Sequence, residues 1–402
     1  MSNLGQHLKF SNGKTSPDRT DTGVYPVYGA NGIIGYSSEY NSDENTIIIG
    51  RVGSYCGSVH FSDKKCWVTD NAISARSMNL KESIFWFYYL KSLNLNSMRV
   101  GSGQPLLNQT ILKSISLPDL NINKIKVGEI LLSFDQKIDL NTQINQTLEQ
   151  ITQALFKSWF VDFDPVRAKV QALSDGLSLE QAELAAMQAI SGKTPEELTA
   201  LSQTQPDHYA ELAETAKAFP CEMVEVDGVE VPKGWEVKPI ELILDRLKNK
   251  QKLRKEEISF EGTIPVFEQG ASILMGYHDK DAAFNASIDE PIFIFGDHTC
   301  ITKLSTVPFS IYQNVIPLIG KNLPTYWVYC AIQNKQTFQE YRRHWAELIV
   351  KEVIIPDNIN LCQYFSKKVK GLFFKIDINY QENKILIDTR DLLLPKLLNG
   401  EI

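Results

Sequence analysis

Six basic side chains fall within ten residues at Arg246-Leu-Lys-Asn-Lys-Gln-Lys-Leu-Arg-Lys255, with no acid among them. Such a run is either the solvated face of a helix or a strip that follows a line of phosphates. Lys248, Lys250, Lys252 and Arg254 are its candidate phosphate contacts, and Lys14 and Arg19 are a sparser set near the start of the chain. Arg99, Ser102 and Gln104 stand in the flexible stretch Arg99-Val-Gly-Ser-Gly-Gln104. Arginine pairs bidentately with guanine and glutamine with adenine, so these types suit base reading. Arg51 directly follows Gly50, His298 and Thr299 come just after Gly296, and Arg342 and Arg343 lie in Tyr341-Arg-Arg-His344. Any one of these residues fits ordinary surface solvation. As clusters at equivalent places in two repeats, they suit contact with a polyanion and reading of the base edges of double-stranded DNA.

Residues that would break a bond are missing from the sequence. No Asn-Pro-Pro-Tyr or Asn-Pro-Pro-Phe is present to hold a flipped base, and no G-x-x-x-x-G-K-[ST] loop to cradle ATP. Gly101-Ser-Gly103 lacks the third glycine of a dinucleotide fingerprint. The six histidines show no metal-ligand spacing, and no Asp…Glu-x-Lys nuclease pattern stands near the basic loops. The expectation is a reader with no catalytic residues, no metal site and no cofactor of its own.

The elements that position these groups emerge from composition and repetition. At 402 residues, 43% apolar and 22% charged, the chain has material for two to three globular domains. A net charge of −7 argues against a nucleic-acid partner until it is mapped. Residues 171–232 hold twelve acids against Lys193 and Lys217, a net −10, so the remainder carries +3. No apolar run reaches membrane-spanning length, and the polar start shows no signal peptide. The six scattered cysteines form no C-x-x-C pair and read as reduced thiols, which places the protein in the cytoplasm.

The chain is internally doubled. Lys137-Ile-Asp-Leu-Asn141 returns as Lys375-Ile-Asp-Ile-Asn379, and Ser116-Leu-Pro-Asp119 as Ile354-Ile-Pro-Asp357, both at an offset of 238. Tyr25-Pro-Val-Tyr28 with Gly35-Tyr36 matches Ile264-Pro-Val-Phe267 with Gly276-Tyr277. Ile47-Ile-Ile-Gly50 matches Phe293-Ile-Phe-Gly296, and Thr69-Asp-Asn-Ala-Ile73 matches Tyr312-Gln-Asn-Val-Ile316. Five matches in one order mean duplication. Each unit opens with a mixed α/β globule, residues 1–124 and 226–362, of short strands and turns with a helix at 84–93 or 326–333. A long helix follows each, at 125–167 and 363–402, and an acidic helical insert at 168–225 is expected as a small accessory segment. The fold class is α+β.

Val127, Leu131, Phe134 and Ile138 step by four, three and four, as do Ile144, Leu148, Ile151 and Leu155, and the second copy repeats the pattern through Phe365, Val369, Leu372, Ile376, Leu386 and Leu393. This seam belongs either to a core helix or to a long helix paired with its repeat mate. Asn141 and Asn379 favour pairing, because both copies put a polar residue where the seam expects an apolar one, a device that fixes register. Asn141, Leu148, Leu155, Phe156, Trp159, Asn379, Leu386 and Leu393 are the candidates for helix register and partner docking. The first helix is expected over 126–162, about 55 Å long, and to end at Asp164-Pro165.

Several stretches carry a resemblance to a known family: Tyr25-Pro-Val-Tyr-Gly-Ala-Asn-Gly-Ile-Ile-Gly-Tyr36, Gly50-Arg-Val-Gly53, Gly101-Ser-Gly-Gln-Pro105, Leu155-Phe-Lys-Ser-Trp-Phe-Val-Asp-Phe-Asp-Pro165 and Pro232-Lys-Gly-Trp235. Together with length and repeat order, they resemble the specificity subunits of type I restriction-modification enzymes. The resemblance implies two target-recognition domains separated by antiparallel helices acting as a ruler, each domain reading half of a split, asymmetric site. It further implies docking of two methyltransferase (modification) subunits and of restriction subunits. S-adenosylmethionine, ATP and Mg2+ would then belong to those partners. In this chain the second copy has His344-Trp-Ala-Glu-Leu348 in place of the Gly-Ser-Gly-Gln-Pro loop. The competing readings are a single-chain DNA methyltransferase or nuclease, which needs the absent motifs, and an acidic DNA mimic or scaffold, which needs acids spread over one long face.

Overall fold

The computed structural model describes residues 2–100, 106–226, 228–249, 251, 253–270 and 272–401. In chain order the elements are β1 Leu8–Asn12, β2 Tyr25–Gly29, β3 Gly32–Ser37, β4 Thr46–Gly50, β5 Val59–Ser62, β6 Trp67–Val68, β7 Ala72–Ser77, α1 Ser83–Ser92, α2 Gln109–Ser114 and α3 Lys124–Phe160. The helices α4 Asp164–Ser174, α5 Leu179–Ser191, α6 Pro195–Thr204 and α7 Pro206–Ala218 follow. Next come β8 Met223–Val226, β9 Val229–Pro232, β10 Glu236–Pro239, β11 Leu244–Arg246, β12 Ile264–Phe267, β13 Leu274–His278, β14 Ile292–Gly296, β15 Thr302–Ser305, β16 Ser310–Ile311 and β17 Val315–Gly320. The chain closes with α8 Thr325–Ile332, α9 Trp345–Ile349, β18 Glu352–Ile355 and α10 Ile359–Asn399. It divides into two compact units, residues 1–141 with 381–402 and residues 142–380. Among the described residues no helix is long and apolar enough to cross a membrane.

Duplication is visible strand by strand. The first unit has a four-stranded sheet in the order β1-β7-β4-β5 and a three-stranded sheet β3-β2-β6; the second has β11-β17-β14-β15 and β13-β12-β16. In each four-stranded sheet an unbroken apolar run, Thr46–Gly50 or Ile292–Gly296, is buried at every position, as a strand covered on both faces must be. In each three-stranded sheet the central strand pairs antiparallel on one side and parallel on the other. The repeated Gly-Tyr pair now has a physical reason. Both hairpins slip register, between Val27 and Tyr28 and between Val266 and Phe267, just where Gly35 and Gly276 sit opposite. Gly276 has φ +158°, and a Cβ there would lie 2.5 Å from the Ser259 carbonyl oxygen, so this bulge requires glycine.

The first long helix ends at Phe160. Phe163 then adopts a left-handed backbone (φ +58°), and Asp164-Pro165 opens α4 instead of merely closing α3. Proline suits that first turn because its missing N–H would have no partner there. The turn is tied by Ser158 Oγ donating to Asp164 (2.7 Å), Arg167 Nε donating to the Asp162 carbonyl (3.0 Å) and a Lys157–Asp162 ion pair. The second long helix starts at Ile359, four residues before the expected 363.

The acidic insert is not an accessory. Ala186, Met187, Ile190, Leu198, Leu201, Leu212 and Ala216 of its helices share one hydrophobic core with Phe160, Trp235, Trp327 and Phe365 in the second unit. The predicted caps are in place: Ser178 and Thr194 accept from the N–H groups of Gln181 and Glu197. Buried Lys169 closes the far end of α7 by donating to the carbonyls of Ala216 (2.9 Å) and Phe219 (2.7 Å). The helices turn their apolar faces inward, so the acids Glu180, Glu196, Glu197, Asp207 and Glu214 are left on the exposed side.

Candidate nucleic-acid interface

The same chain segments converge beyond the central strand of each four-stranded sheet. In the first unit Arg51 N–H donates to the Asn71 carbonyl (3.0 Å), and the Arg51 carbonyl accepts from Leu107 N–H (3.0 Å). In the second, Asp297 N–H donates to the Asn314 carbonyl (3.0 Å), and the Asp297 carbonyl accepts from His344 N–H (2.8 Å). Asn71 and Asn314 are repeat mates in sequence. The hairpin turn joins each group: Ser58 Oγ donates to the Ala30 carbonyl, and His298 N–H donates to Gln269 Oε1 (2.9 Å). Each unit therefore gathers four irregular segments beyond the ends of its strands, tied to one another by backbone and side-chain hydrogen bonds, which is how a rigid scaffold presents variable recognition loops.

This equivalence corrects one expectation. Leu107 and His344 occupy matching places, and α2 and α9 follow them. The counterpart of the stretch before Leu107 is therefore the stretch before His344, and 344–348 is the short helix, not the replaced loop. Ser102 and Gln104 lie outside the described residues, as do Lys250 and Lys252.

The remaining base-reading candidates separate by their surroundings. Arg51 is half-buried, and its Nε has no hydrogen-bond partner among the described residues; Arg99 is exposed beside the same edge. His298 and Thr299 sit in the turn after β14, and among the described residues neither ring nitrogen of His298 nor Thr299 Oγ1 has a partner, although all three atoms are shielded from solvent. Arg343 is largely exposed, 3.7 Å from Asp297. Arg342 is a weaker candidate than its neighbour, because it is already neutralised by Glu340 (3.0 Å) and Glu347. His344 is fully enclosed, with Nδ1 3.1 Å from Glu347 and Nε2 3.0 Å from the Glu340 carbonyl, and serves the fold. The hydrogen bond with His344, aided by Arg342, holds the Glu347 carboxyl below the usual carboxylate range. Sequence reasoning missed Gln269; its signal was its place in the hairpin that repeats the turn after Tyr28.

Among the described residues of the basic strip, none stands in an α-helix: Lys248 and Arg254 are exposed and in neither helix nor strand, Arg246 ends β11, and Lys255 opens a short 3-10 turn at Lys255–Glu257. Lys14 and Arg19 are exposed after β1 of the first unit; Arg19 Nη1 donates to the Ile34 carbonyl (3.0 Å).

Both units contain an antiparallel segment of the two long helices. In the first, buried Asn141 donates to Asn383 Oδ1 (2.9 Å) and Glu382 Oε2 (2.9 Å) and accepts from Lys137 (3.0 Å). In the second, buried Asn379 donates to Asn145 Oδ1 (2.7 Å), and Asn145 donates to the Ile376 carbonyl (3.3 Å). The partners of Asn141 and Asn379 are thus Asn383 and Asn145, which the repeat offset of 238 also relates to each other. The first unit adds a network in which Tyr88 donates to Asp135 (2.6 Å), and Asp135 pairs with Arg390.

The predicted seam holds at Val127, Leu131, Phe365, Val369 and Ile376 but slips by one residue in the second half of α3. Asn145, Thr152, Phe156 and Trp159 are buried there, Leu148 and Leu155 are half-buried, and Ile151 is 43% exposed. In α10 Leu386 and Leu393 are half-buried. Phe156 and Trp159 cannot dock a partner, since they are 7% and 2% exposed within a cluster of Phe160, Phe219, Trp327 and Phe365 with ring centroids 5.1–6.0 Å apart. Phe156, Trp159, Phe160 and Phe163 belong to the core of the second unit, and Trp235 packs against Phe160 and Phe163.

Among the described residues no three His, Cys, Asp or Glu side chains are placed to hold a metal ion. Residues 1–150 match the family described as Type I restriction modification DNA specificity domain. The chain is 44% identical to the specificity subunit of the type I restriction enzyme HindI from Haemophilus influenzae, over 72% of this chain and 69% of that one. It is 24% identical to the MjaIX specificity subunit from Methanocaldococcus jannaschii, over 80% of this chain and 69% of that one. Its fold is similar to the crystal structure of a type I restriction-modification S subunit from M. genitalium, at a TM-score of 0.56 and 18% identity over 98% and 94% of the two chains. A doubled chain whose identity to HindI extends over more than two thirds of both sequences belongs to the specificity subunits of type I restriction-modification systems.

Proposed function

We propose that each globule of this specificity subunit reads one half of a split, asymmetric site in double-stranded DNA. The paired helices set the spacing between the halves and dock the modification subunits. Restriction subunits complete the assembly, which acts in the cytoplasm, and S-adenosylmethionine, ATP and Mg2+ are bound by those partners. The chain itself is a recognition subunit and not an enzyme, and none of its named relatives is a single-chain methyltransferase, a nuclease or a DNA mimic.

The observation that carries this reading is the matched edge. Two sheets of identical strand order hold the same four segments, with equivalent backbone bonds at Arg51 and Asp297, while the side chains there differ. A common scaffold with different side chains supports two half-sites of different sequence. The register pairs Asn141–Asn383 and Asn145–Asn379 support a fixed helix alignment, as a constant spacing needs. Incubating the purified chain with DNA and labelled S-adenosylmethionine, alone and with modification subunits, tests the division of labour. Methylation is expected only with the partners; transfer by the chain alone would overturn the assignment.

A further inference from the structure

The recognition edge of the second unit contains polar groups that its own packing leaves unused. Gln269 is half-buried in the turn between β12 and β13, and its Oε1 accepts from His298 N–H at 2.9 Å. That bond fixes the plane of the carboxamide, leaving one oxygen lone pair and both N–H donors available. No partner for those donors stands among the described residues. Beside it, both ring nitrogens of His298 and Thr299 Oγ1 are shielded yet unpartnered among the described residues. Tyr341, 73% exposed, sets its ring edge-on to the His298 imidazole with centroids 4.8 Å apart. Buried polar atoms left unsatisfied in a folded protein call for a partner, and here three such atoms lie beside the Gln269 carboxamide. A carboxamide with oxygen and N–H2 both presented matches the N6 and N7 edge of adenine, the pairing glutamine makes bidentately in the major groove.

We propose that Gln269 is a specificity-determining residue that reads adenine in the half-site bound by the second globule. His298 holds it through the backbone N–H, and Tyr341 holds the imidazole; both are positioning residues. This rests on the reading of the edge as a DNA interface. It assigns a base-reading role to the hairpin turn, not to the basic strip, which contacts phosphates alone.

The test is Gln269→Glu beside Gln269→Ala, each reconstituted with modification subunits and assayed on duplexes carrying every base at each position of the second half-site. Glutamate keeps the oxygen that accepts from His298 but loses the N–H2 donors, so it cannot bond adenine N7 and suits the cytosine N4 donor. The expected result is a preference at one position that moves from adenine towards cytosine in Gln269→Glu, by about tenfold or more. In Gln269→Ala discrimination there is lost by a similar factor, and both variants leave the first half-site unchanged. Identical preferences in wild type and Gln269→Glu would overturn the proposal, as would equal weakening on all sequences, which marks a structural residue. The wild-type protein separates the two levels: if it shows no split site, the interface reading itself falls, whereas a split site that Gln269→Glu leaves intact sinks the assignment of Gln269 alone.

Discussion

Asn145→Ala is the sharpest probe of the helix pairing. Asn379 is fully buried, and among the described residues its Nδ2 donates to Asn145 Oδ1 alone, at 2.7 Å, and its Oδ1 has no hydrogen-bond partner. Removing Asn145 therefore orphans the whole carboxamide in a site that water does not reach. An orphaned buried polar group costs about 1–3 kcal/mol. The accompanying loss of the Asn145 bond to the Ile376 carbonyl is small, because at 3.3 Å it is already long. The single variant should lose about 2–3 kcal/mol by these terms. Replacing both residues, Asn145→Leu with Asn379→Leu, removes donor and acceptor together and should come within about 1 kcal/mol of wild type. Urea unfolding followed by tryptophan fluorescence reads this well, since Trp159, Trp235, Trp327 and Trp345 all lie in the second unit. Additive single-variant losses in the double variant would refute the argument, for they would mean the two carboxamides are not coupled. The Asn141–Asn383 pair should be more tolerant, because its neighbours Lys137 and Glu382 are 42% and 38% exposed and can turn to water.

Three further outcomes follow from the same structure. Neutralising Lys248, Lys250, Lys252 and Arg254 should weaken binding of the reconstituted complex to every sequence alike and flatten the slope of log affinity against log salt, by roughly 0.9 for each phosphate no longer neutralised; weakening confined to one sequence would contradict a phosphate role. Deleting one heptad from α3 and its repeat-equivalent from α10 should shorten the spacer of the methylated site by about 10 Å, or about three base pairs, leaving both half-sequences as they were; sequencing for methylated bases decides it, and altered half-sequences would sink the ruler. Finally, His278 Nδ1 accepts from Lys280 N–H (3.0 Å), so its other nitrogen carries the proton and donates to Ser310 Oγ (2.9 Å). Burial, with Lys280 close by, lowers the His278 pKa from the ordinary imidazole value. A depressed pKa means the folded state binds fewer protons than the unfolded one, so stability present above the ordinary imidazole range is lost as the pH falls through it. Unfolding midpoints between about pH 7.5 and pH 5.5 should decline less in His278→Asn than in wild type; an equal decline would remove His278 from the cause.

What the sequence made legible was whatever repeats or alternates. The apolar runs at 46–50 and 292–296, the helices at 84–93 and 326–333 and the caps at Ser178 and Thr194 could be read because local pattern and tertiary need coincide there. The duplication could be read because strand order follows chain order in both copies. The failures have a common cause in residues whose role depends on a distant partner. Ile144, Leu148, Ile151 and Leu155 form an acceptable seam in isolation. The stripe actually buried runs through Asn145, Thr152, Phe156 and Trp159, because Asn379 and Phe365 stand opposite, and a helical pattern one residue out still looks periodic. Phe156 and Trp159 looked like docking residues because nothing local says that Phe219, Trp327 and Phe365 will enclose them. The acidity of the insert hid its inner face, which is alanine, leucine and methionine in the shared core. Gln269 stood out only by its place in the repeated hairpin, because what distinguishes it is a backbone N–H supplied 29 residues later.

The central claim is that this subunit reads two different half-sites held at one spacing. Single-molecule sequencing of genomic DNA from cells carrying the complete system, with and without this subunit, tests it most directly. Methylation is expected at one asymmetric motif made of two short specific segments around a nonspecific spacer of constant length, and it should vanish when the subunit is absent. A continuous or palindromic motif, or methylation at the same sites without the subunit, would contradict the claim.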